Sequence, residues 1–278
     1  MDLSLLSFGE GNQLTNPNQR IVSFSLYGNN PKFTYGAIEN AKYVANYMPG
    51  WVALFYVGND VDKHIVSKLI ELGAIIKIQE SNWHKNGMFW RFKVFRDFLP
   101  EYAIIRDSDS RITVRELAAV EEWIASGKTL HIMRDHPYHN VRIPGGMWGG
   151  TRKIADLVPI EADLAKYSSA RGQDQVFLGD YIYPLMRKSL CVHDSFFLIN
   201  LMRRKFPLQR IENDYVGEQF ESDNSFNPIL RNMVSVYSNS ILLQFYLNLR
   251  YFREHSVILS KLSRKLYEIF SNLKNTKF

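Results

Sequence analysis

Cysteine and long apolar runs are what this 278-residue sequence has least of. Its one cysteine, Cys191, excludes an intrachain disulfide and any multi-cysteine zinc site, and is read as a buried strand residue. No apolar run approaches the roughly 20 residues of a membrane-spanning helix. The first residues also lack the basic-then-apolar layout of a signal peptide, so the expected compartment is the cytoplasm, with peripheral membrane contact left open. What is present is a hydrophobic content of 46% with 14% aromatics, enough for a real core in one large domain or a domain plus an appendage. The formal net charge of +6 suits anionic ligands (nucleotides, acidic lipids or nucleic acid) without choosing among them.

Residues 1–20 are rich in Asn and Gln without a sustained period and read as a tail. Strands are then expected at Ile21–Tyr27, Trp51–Val57 and Ala74–Ile78, with helices at Tyr35–Met48 and His64–Leu72. A helix over Met88–Phe98, a strand at Tyr102–Ile105, a helix over Val114–Ser126 and a strand at Leu130–Met133 follow. Apolar strands alternating with helices indicate parallel βαβ units, an α/β fold whose ligands gather at the carboxyl ends of strands.

Three strand ends are therefore candidate ligand loops: Ser25 to Asn30, Gly58 to Asp60, and Arg106-Asp107-Ser108-Asp109-Ser110-Arg111. Two carboxylates two residues apart are well placed to hold a divalent metal, and flanking arginines suit phosphate oxygens. The competing reading is an Asp/Ser-rich turn capping the helix at Val114. Downstream, Gly145-Gly146-Met147-Trp148-Gly149-Gly150 lets backbone approach a ligand, and Trp148 offers a flat face to a sugar or base, unless it is a core residue beside a glycine-rich turn. His136 and His139 flank a proline at a spacing that does not match a helical zinc pair. Asp174 opens a helix running to about Lys188, where a carboxylate is favourable as a cap or as a site group. The strand at Leu190–Phe196 places Cys191 and His193 on one face, with His193 either a third ligand to the Asp pair or a structural histidine.

In this order, Asp107-Ser108-Asp109, Gly145-Gly146-Met147-Trp148, Gln173-Asp174-Gln175 and His193 resemble the GT-A glycosyltransferases, in particular small enzymes of bacterial and large-virus polysaccharide gene clusters. The resemblance covers roughly residues 21–224. It implies a GT-A-like fold, a mostly parallel central sheet flanked by helices. Asp107, Asp109 and His193 would hold Mn²⁺ or Mg²⁺ on a diphosphate. Ser25, Leu26, Tyr27 and Gly28 would cradle the base and ribose, with Arg91, Arg106 and Ser108 near the diphosphate. His136, Asn140, Gly145, Gly146, Trp148 and Gln173 would contact sugar or acceptor. Asp174 would stand beside the reacting carbon, as base in an inverting transfer or as a charge stabiliser in a retaining one, with Asp135 the second candidate base. The donor implied by the resemblance would be a nucleotide-sugar, UDP or GDP favoured, and the acceptor a glycan or lipid-linked molecule. The sequence has Asp194-Ser195-Phe196-Phe197 where retaining families carry Gly-x-x-Lys-Pro-Trp after the late histidine.

Residues 21–225 are read as the catalytic domain and 226–278 as a basic amphipathic helical extension. From Ser240 to Leu273 apolar residues recur at helical spacing, in one long helix or two. From Arg250 onward seven Lys/Arg stand against Glu254 and Glu268, which suits an acidic membrane surface as well as a solvated face on a helix packed against protein, self-association included. Two other classes share some of these features. A metal-dependent phosphohydrolase or nucleotidyltransferase would use the same Asp pair and would release phosphate or transfer a nucleotide. A basic binding module would need its 18 Phe, 15 Tyr and 5 Trp interleaved with cations; they follow apolar periods instead, so no nucleic acid is expected.

Overall fold

The structure is a computed structural model that describes residues 18–80, 86–157, 167, 170–197 and 203–255. Most of the expected tail and everything beyond residue 255 lie outside the described residues. Local apolar runs form β1 (Arg20–Leu26), β2 (Trp51–Gly58), β3 (Ile75–Gln79), β4 (Tyr102–Arg106) and β5 (Leu130–Arg134). With β6 (Met147–Thr151), β7 (Leu190–Asp194) and β8 (Arg203–Arg204) they make one eight-stranded sheet in the order β3-β2-β1-β4-β6-β5-β7-β8. Every pairing is parallel except those of β6, which runs antiparallel to β4 and β5. The expected mostly parallel α/β sheet is observed.

β6 is the departure, because the glycine run read as a loop is a central strand. Glycine is a poor strand former, yet here a side chain has no room. A Cβ on Gly149 would come within 2.9 Å of the Ala103 carbonyl oxygen, and one on Gly150 within 2.1 Å of the Ile154 side chain.

α1 (Pro31–Tyr47) begins earlier than its apolar period suggests, because the Asn30 side chain accepts the Lys32 N–H at 3.0 Å and Pro31 is pre-set for a first turn. With α2 (Lys63–Glu71) it covers one sheet face through Ala37, Ala41, Val44 and Leu69. The other face is sealed by aromatics: Phe89, Trp90 and Phe92 from a 3₁₀ helix over Gly87–Lys93, and Phe95 from the short α3 (Val94–Asp97). α4 (Val114–Ala125) is capped by the Thr113 hydroxyl, which accepts the Glu116 N–H at 3.2 Å. The helix expected over 173–188 is broken into α5 (Gln173–Phe177), a π turn over Leu178–Ile182 and α6 (Tyr183–Met186), where Pro184 brings no N–H to a continuous ladder. Near the end come α7 (Pro228–Ser238), which the sequence reading did not separate, and α8 (Ile241–His255). Val234, Leu247 and Tyr251 anchor this pair on Phe196, Phe197 and Tyr215. No helix among the described residues is long and apolar enough to cross a membrane.

Candidate active site

The Asp107–Asp109 turn follows β4 and is held from three sides. α1 approaches so closely that a Cβ on Gly36 would lie 2.1 Å from the Ser108 carbonyl oxygen, and Asn40 donates its amide to the Ser108 and Ser110 carbonyls at 3.3 and 2.8 Å. The Ser108 hydroxyl donates to the Ser25 carbonyl at 2.8 Å, tying the turn to the end of β1. The Phe220 N–H donates to the Asp109 carbonyl at 2.9 Å.

Five charged groups converge there: Arg91, Asp107, Asp109, Asp174 and Lys32. Arg91, itself buried, donates to the Arg106 carbonyl at 3.0 Å, to Asp174 Oδ2 at 2.9 Å and to Asp107 Oδ1. Burial favours its neutral form, but the facing Asp107 and Asp174 outweigh that and hold it firmly charged. The two glycines before Met147 make the space. A Cβ on Gly145 would sit 2.2 Å from Asp174 Oδ2, and one on Gly146 2.0 Å from Asp107 Oδ2. Burial raises the Asp174 carboxyl, with Arg91 opposing. Burial and then Asp107 push Asp109 up to about 6, against the pull of the Lys32 ammonium 3.5 Å away.

These groups open on a cavity of about 640 Å³ that runs from Tyr27 and Met88 past Asp107, Asp109 and Asp174 to His139, Tyr215 and Leu230. A narrower recess of about 90 Å³ adjoins it, lined by Ser25, Leu26, Tyr27, Phe33 and Met88 with the Asp turn. Oxygen donors suit a hard divalent ion. Asp109 is unsettled by Asp107, and the Asp107 side chain is 46% exposed, so the pair fits Mn²⁺ or Mg²⁺.

No protein-family model matches the sequence, and neither does any curated protein. Among solved structures, the chain is similar to S. aureus TarS 1-349, with a TM-score of 0.45 and 14% identity over 64% of this chain and 58% of that one. It is also similar to glucosyl-3-phosphoglycerate synthase from Mycobacterium tuberculosis in complex with UDP, with a TM-score of 0.44 and 11% identity over 73% and 79% of the two chains. A third is an active-site mutant of LgtC, with a TM-score of 0.41 and 11% identity over 64% and 74%. The matched part is less than two thirds of the TarS chain.

Of the residues singled out in the sequence, the structure brings Ser25, Leu26, Tyr27, Arg91, Asp107, Ser108, Asp109, His136, Gly145, Gly146 and Asp174 to these cavities. Gly28 is not among the residues lining either cavity; it has φ +68° and donates its N–H to Asp60 Oδ2 at 3.1 Å. His136 lines the cavity with both ring nitrogens engaged: Nδ1 accepts the Tyr138 N–H at 3.0 Å and Nε2 donates to the Leu230 carbonyl at 3.1 Å. Burial lowers its pKa to about 4.

Six assignments need correction. His193 is no ligand of the Asp pair: its Nδ1 lies 2.8 Å from His131 Nε2 and its Nε2 3.3 Å from Glu122. It belongs to a buried group with His131 and Cys191 on the α4 side of the sheet, where His131 stacks on Trp123. Trp148 is a core residue with no exposed surface, packed between Phe92 and Phe95 at ring-centre distances of 5.3 and 5.4 Å. Arg106 is buried, paired with Glu116 and donating to the Ile105 and Trp148 carbonyls, so it braces β4 instead of meeting phosphate. Asp135 is saturated by Arg115, Arg210, Ser195 and the Val216 N–H, which leaves it no lone pair for a substrate proton. Asn140 reaches Glu254 on α8 at 3.2 Å, and Gln175 lines the cavity where Gln173 was expected. Residues not anticipated include Lys32 and Phe33, in the first turn of α1 just past the Ser25–Asn30 loop, and Tyr215, Gly217 and Gln219, brought in by the Ser110–Gln219 bridge with no local signal.

Proposed function

We propose that this chain is a divalent-metal-dependent glycosyltransferase of the GT-A type. It would move a sugar from a nucleoside-diphosphate donor, UDP or GDP favoured, to a glycan or lipid-linked acceptor in surface polysaccharide synthesis. The observation that carries the reading is the convergence of Asp107, Asp109, Arg91 and Asp174 on one large cavity at the carboxyl ends of β1 and β4. The recess at Ser25 to Tyr27 suits a base and ribose, with the Asp turn at its other end.

A divalent ion held by Asp107 and Asp109 would neutralise charge on the departing diphosphate. Arg91 contributes a fixed positive charge beside that group, inside a wall where it is worth more than in water. Because Arg91 bonds both Asp107 and Asp174, it also fixes the diphosphate end relative to the reacting end. Asp174 is oriented by Arg91 on one oxygen and by the Gln175 N–H on the other at 2.9 Å. In an inverting transfer its carboxylate takes the acceptor hydroxyl's proton as that oxygen bonds to the anomeric carbon and the diphosphate leaves. In a retaining transfer it faces the cation-like carbon.

Calorimetric titration of UDP, GDP, CDP and dTDP, each with and without Mn²⁺, into wild type and Asp109→Asn tests the reading. One nucleotide should bind with metal to wild type alone. Binding of none refutes it, and phosphate release without a sugar acceptor would mark a phosphohydrolase.

A further inference from the structure

We propose that His131, Cys191 and His193 form a zinc site between the sheet and α4, separate from the Asp107/Asp109 turn. The parallel pairing of β5 with β7 sets His131 opposite Cys191, and His193 follows two residues on along β7, on the same face of the sheet. All three are buried, and one donor atom from each lies within 4.8 Å of the other two. Trp123 of α4 holds His131 in place, stacked on it at a ring-centre distance of 5.1 Å and an interplanar angle of 15°.

The hydrogen bonds aim the donors. His193 Nε2 lies 3.3 Å from Glu122 Oε2, and Glu122 is kept ionised by Arg204 and His193. An ionised carboxylate only accepts, so His193 Nε2 carries the proton and the Nδ1 lone pair is left to face His131 Nε2 at 2.8 Å. A carboxylate behind a ligating imidazole is the usual support of a metal-bound histidine. Burial lowers the pKa of both imidazoles, which keeps them in the neutral form that ligates. Two nitrogens on a tetrahedral zinc ion stand about 3.3 Å apart, so the pair has to open by roughly half an ångström. Binding releases the Cys191 thiol proton. The His131 proton moves from Nε2 to Nδ1, an atom with no hydrogen-bond partner among the described residues.

Donor chemistry selects the ion. Two imidazoles and a thiolate suit borderline-soft Zn²⁺, whereas the carboxylates of the Asp turn suit hard Mn²⁺ or Mg²⁺. Three protein ligands leave the fourth position of the tetrahedron to a water molecule. The Glu122 side chain, 35% exposed, stands between His193 and solvent, so the site lies one side chain below the surface. None of these four residues lines either cavity, and the proposal does not rest on the transferase reading.

The test is cobalt substitution of the full chain, expressed with Co²⁺ in the medium so that the ion is present as the chain folds. Wild type should show a thiolate-to-cobalt charge-transfer band. Only Cys191 can supply that thiolate, because the chain has one cysteine, so wild type alone decides even where Cys191→Ala fails to fold. Growth with Zn²⁺ in place of Co²⁺ should remove the band. Asp109→Asn should keep it, which separates this site from the Asp turn. Glu122→Gln, at a partly exposed position, should weaken Zn²⁺ affinity about tenfold in a chelator competition. No band in wild type, a band that survives Cys191→Ala or growth with Zn²⁺, a band lost in Asp109→Asn, or a Zn²⁺ affinity indifferent to Glu122→Gln would each overturn the proposal.

Discussion

Two carboxylate–arginine clusters stand at strand ends of this sheet, and they differ in what is left over. Asp135, after β5, has no exposed surface. It accepts from Arg115 twice at 3.0 Å, from Arg210 at 2.6 Å, from the Val216 N–H at 3.0 Å and from the Ser195 hydroxyl. The cluster at β4 spreads one arginine, Arg91, over two aspartates, and its carboxylates face a cavity. The first arrangement spends every lone pair on joining β5 to the segment around residues 195–216, whereas the second keeps oxygens available for a ligand.

The comparison would break most visibly at Asp135. Asp135→Ala leaves the buried Arg115 and the half-buried Arg210 without their counter-charge and should cost about 3–5 kcal/mol in a urea titration. A loss under about 1 kcal/mol would mean the cluster is not structural. Asp174→Asn should do the opposite: turnover falls roughly 10²- to 10³-fold, while nucleotide affinity and unfolding midpoint hold. Stability holds because burial already raises the Asp174 carboxyl, so ionising it brings little. Unchanged turnover would remove Asp174 from the chemistry.

The same contrast explains what could be read in advance. The strands β1, β2, β4 and β5 are local apolar runs, so their ends, and with them Ser25 and the Asp107/Asp109 turn, are visible in the sequence. Asp135 and Asp174 look alike there, since each is one aspartate at the edge of an element. What separates them is saturation, and the saturating groups Ser195, Arg210 and Val216 lie 60 to 81 residues from Asp135. His193 shows the same gap: its partner His131 is a neighbour only because β5 and β7 pair in register. Trp148 was hidden by its glycines, whose meaning depends on how close β4 lies to β6.

Gly146 offers a sharper and smaller probe of the open cluster. A Cβ there would meet Asp107 Oδ2 at 2.0 Å, so Gly146→Ala must turn that carboxylate away from its present position. Metal-dependent nucleotide affinity should fall about tenfold, in the range expected for a disturbed ligand shell. Gly145→Ala would press instead on Asp174, and should lower turnover more than affinity. If the two variants behaved identically, the division of labour between the aspartates would not stand.

The mildest test is pH. Asp109 sits at about 6 in the folded chain against 3.8 as a free side chain, first through burial and then through Asp107. Between those values the folded chain holds a proton that the unfolded chain has lost, so stability from this group declines as pH rises from 3.8 to about 6, and is flat above. A metal ion must displace that proton. Mn²⁺ affinity should therefore be level above about pH 7, about twofold lower at pH 6, and fall about tenfold per further unit. In Asp109→Asn the stability drift over the same range should vanish and the metal-free protein should be more stable at pH 7, because the substitution removes a carboxylate that burial disfavours. An Mn²⁺ titration series from pH 5 to 8 with a flat profile would show that Asp109 is not held in the strained, ligand-ready form that distinguishes this cluster from the one at Asp135.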